Sequence, residues 1–171
     1  MNQRDIDIMD VIRKAKMSDI MQITHIYNQA INARKCTCDL EHRELNDRIS
    51  WYEKHDEKTP VYVFERDGIV LGYSYISAYR EGRRAVETVG EVSFYVDYSY
   101  HKKGIGSYLL KFIISQAKKI GYTHLLAIVI ECNKGSISLL NKFNFTEWGR
   151  LPNVVNIDNS YYSHLYYGIS L

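Results

Sequence analysis

The chain has 171 residues, of which 22 are Lys or Arg and 20 are Asp or Glu, so its formal net charge is only +2. This near balance, with no long run of like charge, argues against a dedicated nucleic-acid binder, which would show a clustered basic face. The length suits one domain over residues 1–171, which needs no disulfide or metal because a chain of this size buries about 70% of its unfolded surface.

The chain shows no sign of export or membrane insertion. No apolar run approaches membrane-spanning length, and the N-terminal segment MNQRDIDIMD lacks the hydrophobic segment of a signal peptide. The three cysteines are odd in number, which is untypical of a disulfide-stabilised secreted domain. We therefore expect a cytoplasmic protein with reduced thiols and no membrane partner.

The N-terminal part predicts one strand and two helices. A short strand covers Asp10–Lys14, and Ser18 or Asp19 caps a helix with apolar residues at helical spacing. A second helix is predicted over Glu41–Lys54.

The loop between these helices contains a group of residues that could ligate a metal, namely Cys36, Cys38 and His42. Zinc sites of this kind need a fourth ligand and usually a C-x-x-C pair. Two loop thiols without a metal are the favoured interpretation.

The middle of the chain predicts an antiparallel meander. Strands over Val61–Arg66 and Ile69–Tyr79 are joined by Asp67-Gly68, a strong hairpin turn signal. A basic loop at Gly82–Arg84 then leads into a strand that ends at Val96.

That last strand runs into a glycine-containing turn. Polar and apolar side chains alternate over Glu91–Asp97, and helical spacing begins at Ile105. The junction, Lys102–Ser107, is a natural anion site, because the first N–H groups of a helix lack partners and two lysines add charge. A tight strand-to-helix turn with no ligand explains the two glycines equally well.

The C-terminal part predicts a strand over Thr123–Ile130, parallel to the one before the turn, and a helix over Asn133–Phe143. Strands at Phe145–Arg150 and Tyr161–Ile169 form a closing hairpin with the loop Leu151–Ser160 between them. The predicted fold is an α+β three-layer domain, with a mixed, mostly antiparallel sheet and helices on both faces.

Several motifs together resemble the GCN5-related N-acetyltransferase (GNAT) superfamily. His101–Gly106, HKKGIG, resembles the acetyl-CoA signature Gln/Arg-x-x-Gly-x-Gly/Ala, with His101 as a departure at the first position. Asn133–Phe145 resembles the closing helix of the family. The stretch Thr88–Val96 is most similar to the phosphinothricin-type branch. The resemblance covers roughly residues 11–150 in unbroken order.

The resemblance implies acetyl-CoA as cosubstrate, held between a parallel pair of splayed strands. The pantetheine arm is expected along one strand, the pyrophosphate at the turn, and Asn133 on the pantetheine side. The implied cofactor-binding residues on the strand are Phe94, Tyr95 and Val96. Those at the turn are Lys102, Lys103, Gly104, Ile105, Gly106 and Ser107.

The resemblance also implies a general base, because Glu91 matches the glutamate with that role in the phosphinothricin-type branch. On the residues alone, a surface-facing strand glutamate is an equal alternative. A backbone N–H near Val96 would polarise the thioester carbonyl. The usual closing-helix Tyr is replaced by Leu140, which leaves the general acid open. The candidates are Tyr95, Tyr98, Tyr100 and His164.

We therefore expect an enzyme that acetylates a small primary amine by direct attack in a ternary complex, with a homodimer as the one assembly considered and the oligomeric state left open. Arg80, in a basic loop beside the expected acceptor site, could bind an acceptor carboxylate, and a solvated loop charge is the alternative. Two other functions remain open: acetylation of protein N-termini or lysines, and CoA binding without turnover.

Overall fold

The computed structural model describes residues 10–171. The interpretation of the N-terminal segment as lacking a signal peptide falls almost entirely on residues 1–9, outside the described residues. In the described part, no helix has the length and apolarity needed to span a membrane.

The described residues form seven strands and four α-helices. The strands are β1 (Asp10–Lys14), β2 (Val61–Arg66), β3 (Ile69–Ala78), β4 (Val89–Val96), β5 (His124–Ile130), β6 (Thr146–Ile157) and β7 (Ser160–Ser170). The helices are α1 (Ile20–Asn32), α2 (Leu45–Tyr52), α3 (Ile105–Ile120) and α4 (Lys134–Lys142).

The strands make one sheet in the order β1-β2-β3-β4-β5-β7-β6. Only the β4–β5 pair is parallel, because α3 carries the chain back across the sheet between them. The other pairs are antiparallel, as the hairpin signal at Asp67-Gly68 predicts. The predicted mixed, mostly antiparallel α+β fold is confirmed.

Helices cover both faces of the sheet because successive strand residues point to opposite sides. On one face, α1 packs Ile20, Ile23 and Ile26 against Val63 and Tyr73. On the other, α3 and α4 pack against side chains of β3, β4 and β5 in the largest core cluster. Two buried layers result, one on each side of the sheet.

The parallel strands β4 and β5 separate soon after they begin. Their pairing starts at Val89↔His124 and ends at Glu91↔Leu126. Beyond that point β5 stays paired with β7 as far as Ile130, whereas Val92–Val96 pair only with β3. The predicted splayed pair is confirmed, and Glu91 stands at the point of separation.

The closing hairpin differs from its prediction. The predicted loop Leu151–Ser160 is wrong, since β6 continues to Ile157 and the hairpin turns at Asp158-Asn159. The pairing shifts between Leu151 and Val155, so the irregularity hides the two-residue alternation that marks a strand.

The second helix is also shorter than predicted, Leu45–Tyr52 instead of Glu41–Lys54.

Candidate active site

A cleft of about 670 Å³ opens where β4 and β5 part. This volume lies within the roughly 300–1,000 Å³ of ligand pockets. The last part of β4, with the predicted residues Phe94, Tyr95 and Val96, forms one wall. Asn133, at the start of α4, lies on the opposite side.

The cleft wall on β4 carries backbone groups that have no strand partner. In the β3–β4 ladder, the Asp97 N–H donates to the Leu71 carbonyl at 2.9 Å, and the Tyr79 N–H donates to Val89 at 3.3 Å. Since bonding alternates along an antiparallel pair, Phe94 and Val96 turn their peptide groups toward the cleft. An extended, amide-rich arm such as pantetheine can pair with this edge.

Tyr95 contributes differently from its neighbours. Its peptide groups face Tyr73 on β3, and its ring stacks on the Tyr73 ring with centroids 5.2 Å apart. Burial raises the pKa of Tyr95 well above its usual range. Tyr95 therefore builds the wall of the cleft, and its hydroxyl is held in the neutral form.

The turn before α3 forms the floor of the cleft. Lys102, Gly104, Ile105, Gly106 and Ser107 all line it. Gly104 has a φ of 85°, a left-handed conformation that costs other residues about 1–2 kcal/mol. The open N-terminus of α3 and the charge of Lys102 suit the phosphates of CoA.

Lys103 does not line the cleft. Its ammonium lies 4.6 Å from the centre of the Tyr100 ring, a cation–π contact. His101, which replaces the usual Gln or Arg, is exposed and lines the cleft, and its Nε2 hydrogen-bonds the Val96 carbonyl at 2.9 Å. The Val96 carbonyl is therefore partnered within the protein, while the Val96 N–H is the group left for a ligand.

Asn133 has two roles available to its carboxamide. Its Oδ1 accepts a hydrogen bond from the Ser136 N–H at 3.2 Å, which caps α4. Its NH₂ group makes no hydrogen bond within residues 10–171, so it can donate to a ligand. Sequence reasoning missed the neighbouring lining residues Lys134 and Gly135, although a Lys-Gly pair after a helix cap repeats the chemistry of the first turn.

A second missed group is Lys35-Cys36, which follows α1 and also lines the cleft. The sequence marked Cys36 only as a possible metal ligand and did not mark Lys35, because only the fold brings the end of α1 to the cleft. Lys35, Lys102 and Lys134 give the cleft three cations. Together with two helix N-termini and a free strand edge, they fit the polyanionic, amide-containing chemistry of CoA.

Glu91 lies at the fork between β4 and β5, on the opposite face of β4 from Phe94. Its side chain is half-buried and makes no hydrogen bond within residues 10–171. Burial raises the pKa of Glu91 above its ordinary value. A carboxylate with these properties is a stronger base than an exposed one.

Arg80 lies away from the cleft. It is exposed on the turn that follows β3, and its guanidinium carbon lies 5.5 Å from the centre of the Tyr79 ring.

The three residues considered as metal ligands have separate partners. The Cys36, Cys38 and His42 side chains lie against Tyr98, His164 and Asn32, respectively.

Among the candidates for the general acid, Tyr95, Tyr98 and Tyr100 line the cleft and His164 does not. The Tyr98 hydroxyl lies 3.3 Å from the Cys36 Sγ. Burial raises the pKa of Tyr98, which keeps its proton in place at neutral pH. His164 lies on β7 opposite Ile130, where burial lowers its pKa.

The separating parallel strands, the unpaired strand edge and the cationic turn match the acetyl-CoA site that the resemblance implies. The acetyltransferase (GNAT) family profile matches residues 21–145. The chain therefore belongs to the GNAT acetyltransferase family, and acetyl-CoA is its cosubstrate.

Individual relatives agree with this assignment. The L-methionine sulfoximine/L-methionine sulfone acetyltransferase of Salmonella typhimurium (strain LT2) is 32% identical over 84% of this chain and 84% of its own. The phosphinothricin N-acetyltransferase of Alcaligenes faecalis is 31% identical over 84% of this chain and 73% of its own. A Salmonella typhimurium structure solved with its cofactor acetyl-CoA superposes with a TM-score of 0.89, at 28% identity over 95% of this chain and 94% of that one. The resemblance to the phosphinothricin-type branch is confirmed.

Proposed function

We propose that this acetyltransferase transfers the acetyl group of acetyl-CoA to the primary amine of a small, amino-acid-like molecule. The observation that carries the proposal is the position of Glu91, a half-buried carboxylate at the fork where the cofactor cleft begins. Relatives named for methionine sulfoximine, methionine sulfone and phosphinothricin support an acceptor of this class.

The cleft, together with Glu91 beside it at the point where β4 and β5 separate, supplies the groups that acetyl transfer requires. Acetyl-CoA brings an acetyl thioester, whose carbonyl must be polarised while a neutral amine attacks. Glu91 takes the proton from the ammonium form of the acceptor, directly or through one water. The N–H of Val96 stabilises the developing oxyanion, which is worth about 3 kcal/mol in comparable sites. Tyr98 and Tyr100, which line the cleft, are the proposed candidates to return a proton to sulfur.

The turn residues and Asn133 hold the cofactor in this proposal. Lys102–Ser107 bind the pyrophosphate, Phe94 and Val96 pair with the pantetheine arm, and the Asn133 NH₂ donates to it. Lys103 adds charge near the phosphates from outside the lining. The proposed attack is direct, in a ternary complex, and burial raises the thiol pKa of both cleft cysteines, Cys36 and Cys132, which disfavours a covalent acetyl-cysteine route.

Arg80 is proposed to meet the acceptor carboxylate at the entrance from the β3–β4 turn. Its exposure lets it reach a ligand, and a planar guanidinium matches a carboxylate at two points.

We also propose that residues 1–171 form one acetyltransferase domain that acts in the cytoplasm as a homodimer. The first and last strands, β1 and β7, belong to the same sheet, and all three cysteines are free. Exposed apolar side chains on the β6–β7 hairpin, Trp148, Val154 and Tyr161, support a contact between copies. Sedimentation of the purified protein tests the dimer.

An amine panel tests the proposed reaction. Release of CoA thiol from acetyl-CoA is measured without amine, with amino-acid-like amines, with polyamines, and with peptides that have free N-termini or lysines. We expect release to depend on an amino-acid-like amine. A preference for peptides would favour a protein acetyltransferase, and no amine-dependent release at all would favour a regulatory CoA-binding module.

A further inference from the structure

A second cavity, of about 290 Å³, lies on the α1–α2 face of the sheet. Its walls come from α1, α2, the loop between them, and β3. Arg48 of α2 forms part of the wall although only 6% of its surface is exposed. We call this cavity the Arg48 pocket. Lys and Arg are almost never this buried unless they are paired.

The guanidinium of Arg48 is held rigidly by aromatic rings. Its central carbon lies 3.7 Å from the centre of the Trp51 ring and 4.6 Å from that of Tyr27. The guanidinium Nη2 of Arg48 donates a hydrogen bond to the Tyr73 hydroxyl at 3.3 Å. Cation–π contacts of this kind fix orientation and leave the donors in the plane of the group free.

Arg48 lacks an anionic partner within residues 10–171. It forms no salt bridge there, and its buried Nε has no hydrogen-bond acceptor. A buried, unpartnered donor on a cation is costly, so it needs a compensating role. Binding of an anion from solution would supply both the missing charge and the missing acceptor.

The two carboxylates of the pocket are engaged elsewhere. Asp39 accepts hydrogen bonds from Arg43 at 2.7 and 2.9 Å and from the Tyr27 hydroxyl at 2.8 Å. Asp47 accepts from the Glu44 N–H at the start of α2. Arg43 therefore makes the direct ion pair with Asp39, whereas Arg48 acts on that carboxylate only at longer range, without a hydrogen bond or salt bridge to it within residues 10–171.

The Arg48 pocket borders the active site through shared aromatic walls. Tyr75 lines the pocket, and its neighbour across the sheet is Ser93, two residues beyond Glu91. The Tyr27 ring also lines the pocket and meets the ring of Tyr95, a wall of the cofactor cleft, edge to face at 5.1 Å. Glu91, Ser93 and Tyr95 all point to this face of β4.

We propose that the Arg48 pocket binds the carboxylate of the acceptor and thereby directs its amine toward Glu91. The inference rests on the proposed function, because it presupposes an acceptor that carries both groups. The planar fork of Arg48 presents two donors to the two carboxylate oxygens. Arg48 is a substrate-binding residue in this account, and Arg80 is a contact at the entrance.

The test compares an amino acid with its ester. Parent and Arg48→Met enzymes are assayed with L-methionine sulfone and with its methyl ester at saturating acetyl-CoA, and kcat/KM is taken for each. The acid-to-ester ratio, which is kcat/KM for the acid divided by kcat/KM for the ester, is then compared between the two enzymes. This comparison cancels the difference in intrinsic reactivity between the two amines. We expect this ratio to fall at least about tenfold in Arg48→Met, the scale of a hydrogen bond to a charged group.

Two further measurements separate binding from packing. Arg48→Lys keeps the charge and loses the fork, so its ratio should lie between those of the parent and Arg48→Met. The KM for acetyl-CoA should be unchanged in both variants, and thermal unfolding reports whether they fold. If Arg48→Met does not fold, Arg48→Lys decides the matter.

The outcomes of these assays separate the Arg48 proposal from the proposed function. An unchanged acid-to-ester ratio in a folded Arg48 variant overturns the Arg48 proposal and leaves the proposed function standing. The same conclusion follows if Arg80→Ala lowers the ratio and the Arg48 variants do not. Equal loss toward acid and ester shows that Arg48 merely packs the aromatic cluster. A parent enzyme that acetylates no carboxylate-bearing amine overturns both proposals.

Discussion

The substitution Glu91→Gln isolates the proposed base, because the amide keeps the shape of the side chain and loses its basicity. General bases contribute about 10²–10⁴-fold to rate. At roughly 1.4 kcal/mol per factor of ten, this corresponds to about 3–5 kcal/mol of activation free energy. No hydrogen bond within residues 10–171 ties Glu91 to another side chain, so we expect turnover to fall at least about a hundredfold without rearrangement of the cleft.

The raised pKa of Glu91 determines how the activities of the parent and of Glu91→Gln should differ with pH. Burial raises the pKa of Glu91, so the base is lost, as pH falls, at a higher pH than an ordinary glutamate would require. The parent should therefore show an acidic limb in kcat/KM that is missing from Glu91→Gln. At high pH the amine is already neutral, and the difference in turnover between parent and variant should narrow.

Stability should move in the opposite direction from activity. A carboxyl whose pKa is raised on folding favours the folded state only while protonated, and this contribution is lost as pH rises from the ordinary glutamate value of 4.5 through the raised value. At neutral pH Glu91→Gln should unfold at the same or a higher temperature than the parent. The gain should vanish below the ordinary value.

Two assays check these expectations: steady-state rates across pH with the best amine of the panel, and thermal unfolding of both proteins with and without acetyl-CoA. The shift in unfolding temperature produced by acetyl-CoA should be equal in the two proteins. Turnover that is unchanged over the whole pH range would falsify the role of Glu91. A variant that loses activity together with a large part of its stability would point to a structural role instead.

Two other substitutions test the cofactor and acceptor contacts. Gly104→Val places a β-branched residue at a φ of 85° in the turn before α3. We expect this variant to stay folded without ligand and to lose thermal stabilisation by acetyl-CoA. Stabilisation equal to that of the parent would place the cofactor elsewhere. Arg80→Ala should raise the KM for an acidic or zwitterionic acceptor and leave that for acetyl-CoA unaltered. Arg83→Ala, another exposed arginine of the same loop, is the matched control, and equal effects of both, or a polyamine as best acceptor, would contradict a specific contact at Arg80.

The β4 wall of the cleft and the turn before α3 could be predicted from local sequence because their determinants are local. The glycine at 104 is needed for a left-handed turn, the lysine at 102 is its neighbour, and the alternation from Glu91 to Asp97 identifies the strand that feeds the turn. These residues lie within one continuous stretch, so a pattern of glycines, charges and apolar spacing is enough to place them.

The Arg48 pocket could not be predicted in this way. On the sequence, Arg48 is one charge on a short polar helix, and its hydrogen-bond partner Tyr73 is 25 residues away on another element. Its burial follows only from the packing of α1 and α2 against β3. The extent of β6 was missed for a related reason, since the register shift between Leu151 and Val155 is set by pairing with β7.

Following the acetyl group from acetyl-CoA to its acceptor tests whether the enzyme N-acetylates an amino-acid-like amine. Acetyl-CoA labelled in the acetyl group is turned over with L-methionine sulfone, and the label is located by mass spectrometry. We expect one CoA released per labelled product, with the acetyl group on the α-amino nitrogen and none held on the enzyme. Label recovered as free acetate at the same rate with and without amine, or retained on the protein, would contradict it.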